Sequence, residues 1–454
     1  MNNPTLKAPA QLTGHWLWGS ARELAAAPHE FIAHAPSAFN GLVSFRVLHK
    51  RIIAVNDPNI VRQIMVTQQQ RYRRSYHYTN PVLGQGLLST DGALWQKRRR
   101  QVQPAFRRET MLHLVRMANS TVDKLFAHWD AAKAASQPLE LLSEMQKFAL
   151  SVNSQALLSL DVSWDAAEKF GIAVSDALKL LRKRNNAPVR FLAWLPTPLN
   201  RQLTHTRTIL EEHIAPIIKA RRSQSADAPQ KNALQSDILT ALLDARDPET
   251  GDALSDQEIL DETKTLFAAG FETTATALTW AIYLLVHNPE QAAHWYAEVD
   301  SVLAGRQPQW EDLPNLPFTA NMINEVLRLY PPVYNIAREC IEDDEINGMH
   351  IKKGSVLVMS ILGIHRDERW WPEPLAFLPE RFNASWHKHA FLPFATGRHL
   401  CVGNHFALTE MAVALIRLAQ RYRVELIDTS PVGMAAQITL VPNRPLHFKL
   451  LARP

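Results

Sequence analysis

The chain has 454 residues, 46% of them apolar and 20% charged, with 28 prolines against 16 glycines and a formal net charge of +5. That balance describes a globular, helix-rich chain with proline stops between elements, and it excludes a disordered or collagen-like one. Two cysteines, Cys340 and Cys401, allow at most one disulfide, which excludes a secreted disulfide scaffold.

Residues 1–20 read as a short lead-in with no signal or anchor segment. The longest apolar stretch, 275–286, falls short of the roughly 20 residues of a membrane span. A cytoplasmic protein without a membrane anchor is expected. The alternating runs 43–47 and 52–55, separated by a polar break at His49 and Lys50, predict a hairpin in a β-rich part at 41–56. Next comes a cluster of cations, Lys97, Arg98, Arg99, Arg100, Arg107 and Arg108, with no acid among them. It fits a solvated helix face, a nucleic-acid patch or a dock for an acidic protein. Val115, Ala118, Val122 and Leu125 recur at helical steps. The polar stretch 222–237 predicts a flexible surface loop.

Residues 255–288 predict the longest helix. Ser255 with Glu258 forms a capping box, Leu254 with Ile259 a hydrophobic staple, and Asn288-Pro289 a stop. At 1.5 Å per residue such a helix runs roughly 45 Å. Its centre, Ala268-Ala269-Gly270-Phe271-Glu272-Thr273-Thr274, is poor helix material and carries an acid within an apolar stretch. That local weakness marks a site. Residues 324–329 are helical up to Pro331-Pro332, 345–361 are strand-like with turns at Gly348 and Gly354, and 404–421 are helical. With further β-rich parts at 337–362 and 423–452, the expected fold is mainly α with a smaller β-sheet region (α+β), in one domain over 1–454.

In Phe394-Ala395-Thr396-Gly397-Arg398-His399-Leu400-Cys401-Val402-Gly403, two glycines bracket a cysteine just before a helix. A helix N-terminus lowers a thiol pKa and holds the thiolate. Such a thiolate serves as a nucleophile, a zinc ligand or a heme ligand. Zinc is disfavoured, because no second Cys or paired His lies at ligand spacing. A cysteine hydrolase stays open on the loop alone, since the chain has 18 histidines to act as base.

The loop resembles the heme-binding loop of the cytochrome P-450 superfamily, through Phe394, Gly397, His399, Cys401 and Gly403. His399 departs from the pattern, standing where Arg is common. The resemblance implies the P-450 fold, a triangular helix-rich prism around heme b (iron protoporphyrin IX), with Cys401 as axial thiolate. Glu325 and Arg328 share a helix face, and Arg381 lies in Leu378-Pro379-Glu380-Arg381-Phe382; together they imply the family's buried Glu–Arg–Arg network. The centre of the long helix resembles the oxygen-activation stretch. Gly270 would leave a gap for dioxygen, Thr273 would hydrogen-bond the bound oxygen, and Glu272 would help relay protons. Trp95 and Arg99 match W-x-x-x-R and imply contact with one heme propionate; Arg338, with His399, implies contact with another. Lys97, Arg98 and Arg100 are then left to attract an acidic electron donor, and nucleic acid falls away as a partner.

By the same resemblance the chain is a monooxygenase that inserts one atom of dioxygen into a C–H or C=C bond. No G-x-G-x-x-G follows a strand, and no length remains for a fused reductase. Electrons are therefore expected from a ferredoxin with its NAD(P)H-dependent ferredoxin reductase, delivered to a monomer. Pocket positions carried over from the family are Tyr76, Tyr78, Leu83, Phe267, Val333, Tyr334, Ile336 and Ile438. They are mainly apolar and offer no charge to a carboxylate, which suggests a small lipophilic substrate, a terpenoid or fatty acid. A peroxide-driven hydroxylase or rearrangement enzyme of this fold would usually lack the acid–Thr pair. A non-catalytic heme carrier or gas sensor would need neither a proton relay nor a basic dock.

Overall fold

The structure, a computed structural model, describes residues 7–453 apart from 75, 136, 162–173, 182–183, 185–196 and 228–236. Its residues group into two compact units, 1–75 with 324–401 and 439–441, and 76–323 with 402–438 and 442–454.

The first unit is built on a five-stranded sheet of β1 (Leu42–Val47), β2 (Lys50–Val55), β3 (Tyr72–Arg74), β4 (Asn335–Cys340) and β5 (Val356–Ser360), in the order β1-β2-β5-β4-β3. β1 and β2 form the expected hairpin, turned by Leu48 and His49. β2 runs parallel to β5, and the other pairings are antiparallel. Ile53, Val55, Leu357 and Met359 from the central strands pack with Trp371, Phe382 and Leu392 in the core. Ile336 belongs to this core. Burial alternates along β4 and points Ile336 inwards, on the same side as Arg338 and Cys340.

The second unit is helical. Gly92–Val102, Arg108–Ala134, Leu141–Leu158, Pro198–Asp227 and Asn404–Arg421 accompany the long helix Asp256–His287. Its start is fixed by the predicted capping box: the Ser255 hydroxyl accepts the Glu258 N–H at 3.3 Å, and the Glu258 carboxylate accepts the Ser255 N–H at 2.7 Å. The helix stays regular through 268–274, because burial on almost every side outweighs a propensity cost of about 1 kcal/mol for its glycine. Residues 222–227, read from sequence as loop, continue the helix Pro198–Asp227; residues 228–236 lie outside the described residues. A small sheet of Leu139–Glu140, His447–Ala452 and Tyr422–Leu426 completes the unit. Among the described residues, no helix is long and apolar enough to cross a membrane.

Candidate active site

In the first unit, residues 394–401 fold back on themselves. The Cys401 N–H donates to the Phe394 carbonyl at 3.0 Å, and the Leu400 N–H to the Gly397 carbonyl at 3.1 Å. Gly397 has φ +69°, and a Cβ there would overlap the Met65 carbonyl oxygen. The loop thus needs glycine at 397 both for its backbone and for its seat. The Cys401 thiol is exposed, whereas Cys340 is buried in β4 and donates its S–H to the Glu342 carbonyl at 2.8 Å. Burial pushes the Cys340 thiol up to about 11, so it stays protonated near neutral pH. Of the two cysteines, Cys401 is the one placed to act as thiolate.

The chain leading into that loop is anchored by ion pairs. Glu325 accepts Nε of Arg328 at 2.6 Å, Nη2 of Arg328 at 2.7 Å and Nε of Arg381 at 2.9 Å, with the Leu378 N–H at 3.0 Å. Arg328 also donates to the carbonyls of His365 and Pro374, both at 2.7 Å. His365, whose positioning role the sequence did not reveal, is fully buried. Its Nε2 accepts the Leu392 N–H at 2.8 Å, two residues before Phe394. That fixes Nδ1 as the protonated nitrogen, donating to the Arg328 carbonyl at 3.1 Å. Burial holds the His365 pKa down at about 3, so the ring is neutral.

Arg338 is 3% exposed on β4, and its cross-strand partner is Arg74 on β3. Arg338 donates to the Ala337 carbonyl at 2.8 Å. Arg398 and His399, half-buried in the turn Gly397–His399 just ahead of Cys401, offer N–H donors whose chemistry fits a carboxylate such as a heme propionate. Val333 is exposed, and the Tyr334 ring lies edge-on to His29 at 6.3 Å.

In the second unit, every residue of the long helix from Ile259 to Leu285 is buried except Ala269, Gly270 and Thr273. These three share one face and fall in the stretch the sequence marked as a site. The Thr273 hydroxyl donates to the Ala269 carbonyl at 2.8 Å, which leaves its oxygen lone pairs as acceptors. Glu272 is buried beside it. Gly270 has a use that sequence did not show: a Cβ there would lie 2.6 Å from Oδ1 and 2.7 Å from Nδ2 of Asn153, on the helix Leu141–Leu158. Its missing side chain lets that neighbouring helix approach.

A second residue missed from sequence is Glu410 on the helix Asn404–Arg421. It is fully buried against the Thr274 hydroxyl, and burial raises its carboxyl well above the usual range. An acid sharing a helix face with Phe406 and Val413 was the available signal. Gly403 N-caps this helix. Among the pocket positions, Leu83 and Phe267 are buried, the rings of Tyr76 and Tyr78 lie 6.2 Å apart, and Ile438 is half-buried. The chain near Leu83 is tied to the long helix: the Asp261 carboxylate accepts the Gln85 N–H at 2.8 Å and Glu262 the Leu87 N–H at 2.9 Å.

Trp95 is buried, and half-buried Arg99 donates to Gln103 at 3.1 Å. The neighbouring cations do not form the free basic face expected from sequence. Lys97 pairs with Asp252 at 2.6 Å, and Arg98, itself 3% exposed, pairs with Glu258 at 2.6 Å. Arg100 pairs with Asp247 at 2.8 Å and Glu249 at 2.9 Å. Hydrogen bonding from Arg100 holds the Asp247 carboxyl down at about 2. These cations tie the helix Gly92–Val102 to residues 247–258, so their charge is met within the chain. Arg107 and Arg108 are exposed. The preceding Phe106 meets the Phe406 ring edge-on at 6.3 Å, which sets these two arginines beside the start of the helix that follows Cys401.

The profile of the Cytochrome P450 family matches residues 9–450. Cyclooctatin synthase of Streptomyces melanosporofaciens is 32% identical over 96% of both chains. Cyclooctat-9-en-7-ol 5-monooxygenase of the same organism is 31% identical over 90% of this chain and 87% of its own. The crystal structure of the cytochrome P450DA heme domain superposes with a TM-score of 0.88 at 25% identity, covering 99% of this chain and 98% of that one.

Proposed function

Since the chain belongs to the cytochrome P450 family of heme-thiolate monooxygenases, we propose that it oxygenates a small lipophilic substrate of terpenoid type, in the cytoplasm, with electrons from a ferredoxin and its NAD(P)H-dependent reductase. The observation that carries the reading is the long helix, uncovered at Ala269, Gly270 and Thr273 beside a buried Glu272. A carrier or sensor has no use for an acid–alcohol pair at the one break in a buried helix.

Cys401 would hold the heme iron through its thiolate, and Arg338, His399, Trp95 and Arg99 would bind the heme propionates. When bound, the heme supplies dioxygen reduction and O–O cleavage, favoured by the electron-rich thiolate. The protein's own part is to move protons and exclude water. The Thr273 hydroxyl, already donating to Ala269, accepts from a water or from the Glu272 carboxyl and passes a proton onward. The Glu325, Arg328 and Arg381 pairs and His365 keep the 394–401 loop rigid, so that Cys401 is presented in one geometry.

The terpenoid reading draws on the apolar character of Leu83, Phe267 and Val333 and on a relative whose name gives an unsaturated alcohol, cyclooctat-9-en-7-ol, as what it oxidises. The exposed Arg107 and Arg108 are the proposed contact for the acidic donor. A Thr273→Ala variant tests the relay. Reductant consumption should continue while product falls and hydrogen peroxide accumulates, and a variant that couples as well as the parent would remove the relay from the account.

A further inference from the structure

Trp16, Leu17 and Trp18 are 79%, 42% and 46% exposed, three large apolar side chains in a row. Single exposed apolar residues are ordinary, but a contiguous group marks an interaction surface. The group forms the tip of a built turn. The His15 N–H donates to the Gly19 carbonyl at 3.0 Å, and the Gly19 N–H returns to the His15 carbonyl at 2.8 Å. Behind it the Arg46 guanidinium donates to the carbonyls of Leu17 at 3.2 Å, His15 at 3.0 Å and Trp16. Gly19 has φ +62°, and a Cβ there would overlap the Arg46 carbonyl. The His15 ring lies 5.9 Å from that of Trp16 and 6.4 Å from that of Trp18. The scaffold holds the two indoles outward in a fixed conformation, so little ordering entropy is lost when they are covered.

The rim of the turn is basic. The turn between β1 and β2 abuts it through the Leu48 N–H, which donates to the Trp18 carbonyl at 3.2 Å. Exposed His49, Lys50 and Arg51 come with that turn, and exposed Arg22 follows on the other side. Residues 10–29 and 42–55 carry Arg22, Arg46, Lys50 and Arg51 against one acid, Glu23.

We propose that this knuckle seats the protein reversibly on an anionic phospholipid surface, with Trp16, Leu17 and Trp18 in the headgroup layer and Arg22, Lys50 and Arg51 above the phosphates. Indole suits that layer because it joins an apolar body to a polar N–H, and an apolar ridge with a cationic border is the interfacial pattern. A second copy of the chain fits poorly, since two identical basic rims would face each other across the contact. No described helix spans a membrane, so the contact is peripheral. The surface is independent of the oxygenation reaction and would bring the protein to where lipophilic compounds concentrate.

Flotation of the heme-loaded protein with phosphatidylcholine vesicles, with and without phosphatidylglycerol, tests this. The protein should float with the anionic vesicles and release in high salt. Lys50→Gln and Arg51→Gln should each lower the partition coefficient about fivefold, the equivalent of about 1 kcal/mol per charge near the surface. Trp16→Ser with Trp18→Ser should abolish flotation while the absorption spectrum of the loaded protein stays unchanged. Parental protein that stays with the dense fraction, or a double serine variant that floats like the parent, overturns the proposal. So does a concentration-dependent dimer in light scattering that the serine variant loses, since the ridge would then be a contact between copies.

Discussion

Gly270→Ala separates two explanations of the same glycine. The added methyl would lie 2.6 Å from Oδ1, 2.7 Å from Nδ2 and 3.0 Å from Cγ of Asn153, and Asn153 is itself buried. Overpacking of this kind costs about 1–3 kcal/mol. Replacing glycine by alanine inside a helix returns about 1 kcal/mol. The single variant should therefore lose up to about 2 kcal/mol. In an Asn153→Ala background the three crowding atoms are gone, and Gly270→Ala should become neutral or stabilising. A double-mutant cycle on urea midpoints of the heme-loaded protein should then show a coupling energy of about 1–3 kcal/mol. If the two changes add within about 0.5 kcal/mol, the glycine does not serve the approach of Leu141–Leu158, and the gap for dioxygen becomes the better account of it.

Glu410 gives a pH signature. Its carboxyl is raised by burial, so its stabilising contribution is complete below the ordinary carboxylate pKa and is lost as pH climbs towards the folded-state value. Relative to Glu410→Gln, the parent should lose up to about 1.4 kcal/mol per pH unit above the ordinary carboxylate range, read as denaturant midpoints against pH. Parallel curves for the two proteins would mean that Glu410 is not held neutral. The cation cluster divides in the same direct way. Arg98→Gln should destabilise the protein by stranding Glu258 and Glu262 while leaving reduction by an acidic ferredoxin unchanged. Arg107→Gln with Arg108→Gln should slow that reduction, most at low salt; the reverse assignment of effects in stopped-flow reduction and thermal melts would restore the original dock.

What the sequence revealed was what short-range signals carry. The capping box at Ser255, the turn glycines at 348 and 354 and the proline stop after Asn288 all act within a few residues, so spacing alone located the long helix and its ends. The loop around Cys401 was legible for the same reason, because Gly397 answers to local φ and close approach. The cations at 97, 98 and 100 were misread because their partners lie 147 to 160 residues away. No window of sequence holds both halves of such a pair. Asn153 opposite Gly270 and Thr274 beside Glu410 escaped for the same reason, since both contacts join helices far apart in the chain. The burial of Ile336 rests on the register of β4 between β3 and β5, strands that no single stretch of sequence brings together.

The central claim is that Cys401 supplies the thiolate. Reduced, carbon monoxide-treated protein should show the strongly red-shifted Soret band that requires a thiolate opposite the gas. Cys340→Ala should keep the band, and Cys401→Ala should lose it while still binding heme. A Cys401→Ala protein that retains the band would contradict the account.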